Sequence, residues 1–479
     1  MILALMSVAF ATDVGGYLRV MTRPDFEGGD GRLGYWNLYG RLLNEGPYAA
    51  LELRQDVLAP EPGSDEPWTD LHAKIEGGTI GSADAGNGSL AYLRLSQVYV
   101  QAGNIGLAGV TWRLGTLEST FGDLGLYDMR PAQVLTDAVG GGLRWQTRAA
   151  DVILGVGDAG YSIRGAEYTT VLTAGGTARV SLGRHLEVGA GGQFWHEPEV
   201  VGNRYAPHTT PELAYEDYVR GEVVERYADA NPDLSTFPDP EPTSAQSWKA
   251  VGYLGFGNLG PLKWNNLFAN YLLRHPDNFV EESYAGETYT LYVKELTDER
   301  TQLNVGNELQ LVVLPERLDV AWGVLYGRHE DGDNDVAPSD DDRTFYSTVL
   351  RAQVYLTPGV HLLAEGSVAK EISHNGNAYR NHVDSIFENA GGEPDAEGLE
   401  YGDDDERDTL QGKFGVVLNP LGPGIYTRPS LRLLYGIQHS SQNNAFGNSF
   451  VETLDQYDDF GNVERHVHSV VALEAEAWF

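Results

Sequence analysis

The chain has 479 residues, no cysteine, 42% hydrophobic residues and a formal net charge of −36. Without thiols it has neither a disulfide framework nor a thiolate metal site. The negative charge argues against nucleic acid as a partner, because phosphates would be repelled. Residues 1–11 form an apolar run that closes in a small-x-small pattern at Ala9 and Ala11, which is typical of a cleaved signal peptide, although the usual basic segment is absent. We expect residues 1–11 to be a signal peptide remnant and residues 12–479 to form one domain.

The hydrophobic pattern of the remaining chain predicts β-strands. No mature stretch approaches the roughly 18–20 apolar residues that a membrane helix needs. Residues 319–327 alternate large apolar with mostly small side chains, and residues 347–356 alternate apolar side chains with Arg351, Gln353 and Tyr355. An apolar face suits lipid and a polar face suits a wet lumen. The 58 glycines and 26 tyrosines also favour β structure.

The connections between these strands differ in length. Short turns are expected near residues 314–317, 358–359 and 419–424, whereas long polar segments occupy 198–246, 330–343, 373–408 and 440–465. This asymmetry is typical of outer-membrane barrels. Because a membrane strand needs about 9–11 residues, we predict an all-β, transmembrane antiparallel barrel of about 18 strands (about 16–18). The short turns would be periplasmic, the long acidic loops extracellular, and the barrel would lie in outer-membrane lipid of a Gram-negative bacterium.

The last ten residues give the sharpest signal. One face of the predicted strand is fully apolar and carries Val471, Leu473, Ala475, Ala477 and Phe479. Glu474, Glu476 and Trp478 lie on the other face, which we assign to the lumen because a carboxylate facing lipid is unfavourable. The terminal aromatic resembles the signal by which the outer-membrane assembly machinery recognises its clients.

Two other motifs have competing interpretations. Gly155, Gly157 and Gly160 match a dinucleotide-binding pattern, but no helix follows, so we expect a surface turn. Asp331, Asp333, Asp335 and Asp342 occupy positions 1, 3, 5 and 12 of an EF-hand-like loop, with Val336 where glycine is required. A structural calcium ion is one interpretation and a solvated acidic loop is the other. No cofactor is required, and without a hydrolase or phosphate-loop motif we expect no enzyme activity.

Several short segments resemble the maltoporin family, the trimeric sugar-specific porins of Gram-negative bacteria. They are residues 16–19 (Gly-Tyr-Leu-Arg), residues 476–479 (Glu-Ala-Trp-Phe), residues 32–34 (Arg-Leu-Gly), Arg94 with its flanking strand, the spacing from Gly115 to Asp123 and Asp128, and residues 428–432 (Arg-Pro-Ser-Leu-Arg). The likeness is confined to about the first 145 and the last 50 residues. It implies a divergent member of that family, assembled as a homotrimer.

The resemblance also implies roles for individual residues. Tyr17 and Trp478 would belong to an aromatic slide on which sugar rings stack, and Arg19, Arg32 and Arg94 would form the polar track beside it. Asp123 and Asp128 would sit on a third loop that narrows the pore, with Tyr127 close by and Glu476 on the lumen wall. The alternatives are interface packing for the aromatic residues and ion pairs that brace the wall for the charged ones.

The chain also departs from the family pattern. Phe121 stands where the family has an arginine, and the aromatic-rich stretch that follows in maltoporins is missing after Asp128. We therefore expect a passive channel for saccharides such as maltodextrins, and keep two alternatives. One is a general or cation-preferring diffusion porin. The other is a secreted β-rich carbohydrate-binding protein.

Overall fold

The computed structural model describes residues 12–24, 33–34, 37–59, 65–77, 93–107, 109–160, 170–197, 244–274, 279–284, 287–292, 300–331, 342–374, 406–441 and 466–479. The side chains of residues 12, 37, 93, 279–284, 287–292 and 331 are outside this description. The predicted signal peptide, residues 1–11, also lies outside it. Among the described residues, no helix has the length and hydropathy that a helical membrane span requires.

Twenty strands and one short 3-10 helix make up the described secondary structure. They are β1 (Thr12–Thr22), η1 (Asn37–Tyr39), β2 (Tyr48–Leu58), β3 (Trp68–Gly77), β4 (Leu93–Gly103), β5 (Val110–Thr116), β6 (Val139–Gln146), β7 (Ala150–Asp158), β8 (Leu172–Ser181), β9 (Leu186–Glu197), β10 (Ala245–Leu259), β11 (Leu262–Arg274), β12 (Phe279–Tyr284), β13 (Glu287–Tyr292), β14 (Arg300–Leu314), β15 (Leu318–Asp331), β16 (Arg343–Thr357), β17 (Val360–Ser373), β18 (Glu406–Leu418), β19 (Ser430–Ser440) and β20 (Val467–Trp478).

Eighteen of these strands close into one antiparallel barrel, while β12 and β13 form a separate two-stranded sheet. Each barrel strand pairs with its neighbours in chain order, and β1 closes the ring by pairing with both β2 and β20. Closure pairs the backbone groups that an open sheet would leave at its edges, which a membrane interior demands. The predicted 18-stranded antiparallel barrel is confirmed.

The strands are amphipathic with a period of two, as β19 illustrates. Leu431, Leu433 and Ile437 are exposed on its outer face, whereas Arg432 and Gln438 are buried on its inner face. A closed barrel with an apolar exterior and a polar interior is the architecture of a bacterial outer-membrane protein. The structure therefore places the chain in the outer membrane, as the sequence predicted.

The two ends of the barrel differ in the way the sequence predicted. At one end β14 and β15 are joined by residues 315–317, and β16 and β17 by residues 358–359. At the other end, the connections from β9 to β10 and from β17 to β18 span residues 198–244 and 374–405. Both Thr12 and Trp478 lie at the end with the short turns, which we assign to the periplasmic side.

Candidate functional site

The connection between β5 and β6, residues 117–138 (loop 3), lies inside the barrel. Two isolated bridges, Ser119 with Val134 and Leu124 with Met129, fold it into a compact hairpin. Nine of its apolar side chains belong to one buried cluster that also includes residues of the wall: Leu117, Phe121, Leu124, Leu126, Tyr127, Ala132, Val134, Leu135 and Ala138. These residues bury loop 3 against the barrel wall and narrow the lumen.

Glycines on the inner wall make room for loop 3. A Cβ atom added at Gly155 would lie 2.8 Å from the Leu135 side chain of the loop. A Cβ atom added at Gly157 would lie 2.4 Å from the Val139 carbonyl oxygen. Both glycines are inside β7. The surface turn predicted for this glycine pattern is therefore wrong, because the pattern serves close packing of a strand against a loop and its neighbour strand.

The far tip of loop 3 is fixed by a buried carboxylate on β14. The Leu126 backbone N–H donates to Glu308 Oε2 over 2.8 Å. The Tyr426 hydroxyl donates to Glu308 Oε1 over 2.6 Å. Tyr426 belongs to the connection 419–429, which folds back into the barrel, so Glu308 joins three segments that are distant in sequence.

The connection between β1 and β2, residues 23–47 (loop 1), also enters the lumen with its described residues 33–34 and 37–47. Lys413 Nζ on β18 donates to the Tyr39 carbonyl oxygen over 2.9 Å, and it forms an ion pair of 2.9 Å with Glu365. Glu365 in turn pairs with Arg351 at 2.6 Å. The Tyr39 hydroxyl donates to Glu371. These buried charges hold loop 1 against β16–β18.

The two halves of the inner wall therefore differ in exposure. On the side covered by loops 1 and 3, the side chains of Arg351 and Lys413 are 2% and 0% exposed. On the β2–β4 side, the lumen-facing side chains of Arg54 on β2 and Arg94 on β4 are 47% and 68% exposed. Water has access to the lumen along the β2–β6 side.

Glu476 on β20 is the centre of a charged cluster on the inner wall, as strand parity predicted for its orientation. It accepts hydrogen bonds from the Tyr17 hydroxyl and from Arg41 Nη2, each over 2.6 Å. Arg428 and Arg432 contact its other oxygen at 2.5 Å. Glu476 is buried, so it braces the wall.

Arg19 on β1 is also buried, at 6% exposure. Its guanidinium pairs with Glu45 of loop 1 and donates to the Gly46 carbonyl oxygen over 2.9 Å. The structure thus places Arg19 behind loop 1, in the bracing role that was the alternative to the polar track.

Three aromatic rings adjoin one another on the lumen face of β20, β1 and β2. The centroid of the Tyr17 ring lies 6.3 Å from that of Trp478 and 5.6 Å from that of Tyr48. Trp478 is 63% exposed, while Tyr17 and Tyr48 are partly exposed. Tyr48 was not predicted as a site residue. The signal that could have indicated it is the alternation of side chains along β2, which puts Tyr48 on the lumen face.

Asp123 and Asp128 lie on loop 3 and are exposed to the lumen. Enclosure by the wall and the neighbouring Asp128 carboxylate raise the pKa of Asp123. Enclosure acts in the same direction on Asp128, but the Arg41 guanidinium, a hydrogen bond with Glu45 and the guanidinium groups of Arg19 and Arg130 together outweigh it and hold the pKa of Asp128 below its usual range. The two carboxylates of the narrowed region therefore titrate separately.

Other predicted site residues are not brought to the lumen surface. The ring of Tyr127 is 1% exposed and packs over Gly323 of β15, so the predicted position beside the solute is corrected to a packing role. Arg32 lies outside the described residues. So do Asp333, Asp335 and the side chain of Asp331, while Asp342 pairs with Arg328 at 2.5 Å. The calcium site stays a prediction.

Comparison with known proteins adds a likeness in overall form. No family model matches the chain, and no curated protein matches it. Among solved structures, it is similar to OmpT of Vibrio cholerae, with 9% identity over 99% of each chain and a TM-score of 0.36. It is also similar to Pseudomonas aeruginosa OprD, with 9% identity over 98% of this chain and 95% of that chain and a TM-score of 0.40. For a BenF-like porin from Pseudomonas fluorescens Pf-5 the identity is 8% over 98% of each chain and the TM-score is 0.42. The fold assignment rests on the strand pairing itself, and the resemblance to maltoporins stays a prediction.

Proposed function

We propose that the protein is a passive outer-membrane porin for small hydrophilic solutes. The observation that carries this proposal is the contrast in exposure between the two halves of the inner wall. Loops 1 and 3 cover the β10–β20 half, whereas charged side chains of β2–β4 stay in contact with water. Solutes would pass between loop 3 and the β2–β6 wall.

The charges along this path favour a general diffusion pore. Loop 3 contributes the exposed carboxylates Asp123 and Asp128, and the wall contributes the exposed guanidinium groups of Arg54 and Arg94. Exposed groups of both signs repel neither small anions nor small cations outright, and the excess acid on the chain favours a modest cation preference.

Planar bilayers give the direct test. Purified, folded protein should insert with discrete conductance steps, and a salt gradient should give a reversal potential on the cation-selective side. Heat-denatured protein is the control. Heat-modifiable migration on gels identifies the folded protein. Absence of conductance from such folded protein would overturn the proposal.

Saccharides are a second candidate for the solute, because Trp478, Tyr17 and Tyr48 form a continuous aromatic surface on the lumen face of β20, β1 and β2. Sugar rings can stack their flat C–H faces on such rings. Trp478→Ala should then weaken block of ion current by maltodextrins while leaving the sugar-free conductance unchanged. Trp322→Ala, which alters an outward-facing tryptophan, is the matched control. Equal block in both variants would contradict this assignment.

We also propose that the chain forms a homotrimer through the outer face of β1–β4. The outward-facing side chains described on these four strands include no aromatic residue, whereas β5, β6 and β10 carry Trp112, Trp145 and Trp248 outward. Aromatic side chains anchor barrels at the lipid interface, so a face without them suits contact between subunits. Native mass spectrometry in detergent should give three times the chain mass, and a monomer would refute this.

A further inference from the structure

A small cavity lies on the extracellular half of the barrel, between loop 3 and the β9–β11 wall, away from the proposed solute path. Its volume is about 220 Å³. Its lining includes Asp137 of loop 3, Trp195 and Glu197 of β9, Lys249 of β10, and Leu272 and Arg274 of β11. The volume is below the ~300–1,000 Å³ of sites for drug-sized ligands, so the cavity suits a solute with a single ring.

Lys249 is the feature of this cavity that indicates an anion. Its Nζ donates to the Gln133 carbonyl oxygen of loop 3 over 2.8 Å. An ammonium group has three donors, and no carboxylate in the described part of the chain forms an ion pair with Lys249. The group is partly buried, and a cation removed from water without a counter-charge favours an anionic partner.

Trp195 supplies the second element of recognition. It faces the lumen on β9, directly opposite Ser247 and two residues along the ladder from the pair of Gln193 with Lys249. The indole is partly buried and lines the same cavity as Lys249, together with the apolar side chain of Leu272. An aromatic face beside an ammonium group suits a flat ring that carries a negative charge.

We propose that this cavity binds a small solute with one carboxylate on a six-membered ring, the carboxylate on Lys249 and the ring on Trp195. The ring could belong to a sugar acid or to an aromatic acid, since both present a flat face. Asp137 lines the same cavity, so a second negative charge placed beside Asp137 would be repelled. The site is separate from the proposed path, and the proposal holds whether or not the barrel conducts.

Calorimetric titration of the full chain in detergent tests this without a membrane. Glucuronate and benzoate are the charged probes, and glucose and benzyl alcohol are their neutral counterparts. Binding of either charged probe, with at least tenfold weaker binding of its neutral counterpart, supports the proposal, and the probe that binds identifies the ring. Absence of binding for both charged probes, or equal binding of charged and neutral probes, would overturn it.

Variants separate recognition from loss of structure. Lys249→Gln should weaken binding of the charged probe about tenfold or more, because a hydrogen bond to a charged group is lost, and Lys249→Arg should retain most of the affinity. Trp195→Leu should weaken binding several-fold, and Asp137→Asn should strengthen it by removing a like charge. Lys263→Gln, which removes an exposed lysine at the other end of the barrel, should have no effect. An equal loss in Lys263→Gln and Lys249→Gln would refute the assignment.

Discussion

Replacement of Glu308 by alanine should release the tip of loop 3. Glu308 accepts hydrogen bonds from the Leu126 N–H at 2.8 Å and from the Tyr426 hydroxyl at 2.6 Å, and it is 0% exposed. Alanine leaves the buried Leu126 N–H and the partly buried Tyr426 hydroxyl without these acceptors. Each unsatisfied buried donor costs about 1–3 kcal/mol, so the docked position of loop 3 should lose about 2–6 kcal/mol. The strand pairing of the barrel is not altered, because the carboxylate is on the inner face.

Glu308→Gln refines the same estimate. The amide keeps one acceptor oxygen in place of two, so about half of the loss is expected. Since each 1.4 kcal/mol changes a population about tenfold, undocked loop 3 should become at least tenfold more frequent in Glu308→Ala and less so in Glu308→Gln.

Single-channel recording is the assay. Undocking widens the narrowed region, so Glu308→Ala should show larger mean conductance or new open-channel flicker, with Glu308→Gln between it and the unmodified chain. Glu330→Ala, which removes a carboxylate that is 53% exposed on β15, is the control and should behave as the unmodified chain. Unchanged conductance and noise in a folded Glu308→Ala barrel would refute the view that this carboxylate holds the loop.

Three further outcomes are expected. Phe121→Ala removes a ring that lies 5.4 Å from Tyr253 and should cost loop 3 about 3–5 kcal/mol, measured as faster protease cleavage within the loop; unchanged cleavage would contradict its anchoring role. Cation preference should fall as pH falls, first as Asp123 protonates above the usual aspartate range, and Asp123→Asn should abolish that first step in reversal-potential measurements; an unchanged step would show that another group titrates. Lys413→Met removes one of the two cations paired with Glu365, so it should cost less than the about 3–5 kcal/mol of a fully unpaired buried charge but still lower the temperature of gel-shift denaturation, whereas an unshifted transition would show that the pair adds little.

Strand parity explains what the sequence could predict. In β16 and β20 alternate side chains face the lipid and the lumen. Arg351, Glu474 and Glu476 face inward, as their polarity requires. Turn and loop lengths depend on local composition in the same way. These local rules were sufficient for the barrel and its strand number.

The interior arrangement could not be predicted in that way, because it depends on contacts between distant segments. Glu308 lies 182 residues from Leu126, and no local pattern indicates that they meet. Tyr127 was expected beside the solute from its position in loop 3, but the space above Gly323 of β15 accommodates its ring. Gly155 and Gly157 were predicted to form a turn because no local pattern shows that Gly155 packs against loop 3 and Gly157 against the neighbouring strand β6.

The closure of β1 onto β20 has a consequence for the order of events in biogenesis. Tyr17 is opposite Trp478, so the first strand of the ring cannot complete its pairing until the last strand has been delivered. Until then β1 has one unpaired edge, which is a template for incorrect pairing and aggregation. Contacts of such long sequence separation form slowly. The ring therefore cannot close before residues 467–478 have arrived, and a chain truncated before residue 467 should be protease-sensitive instead of forming a closed pore.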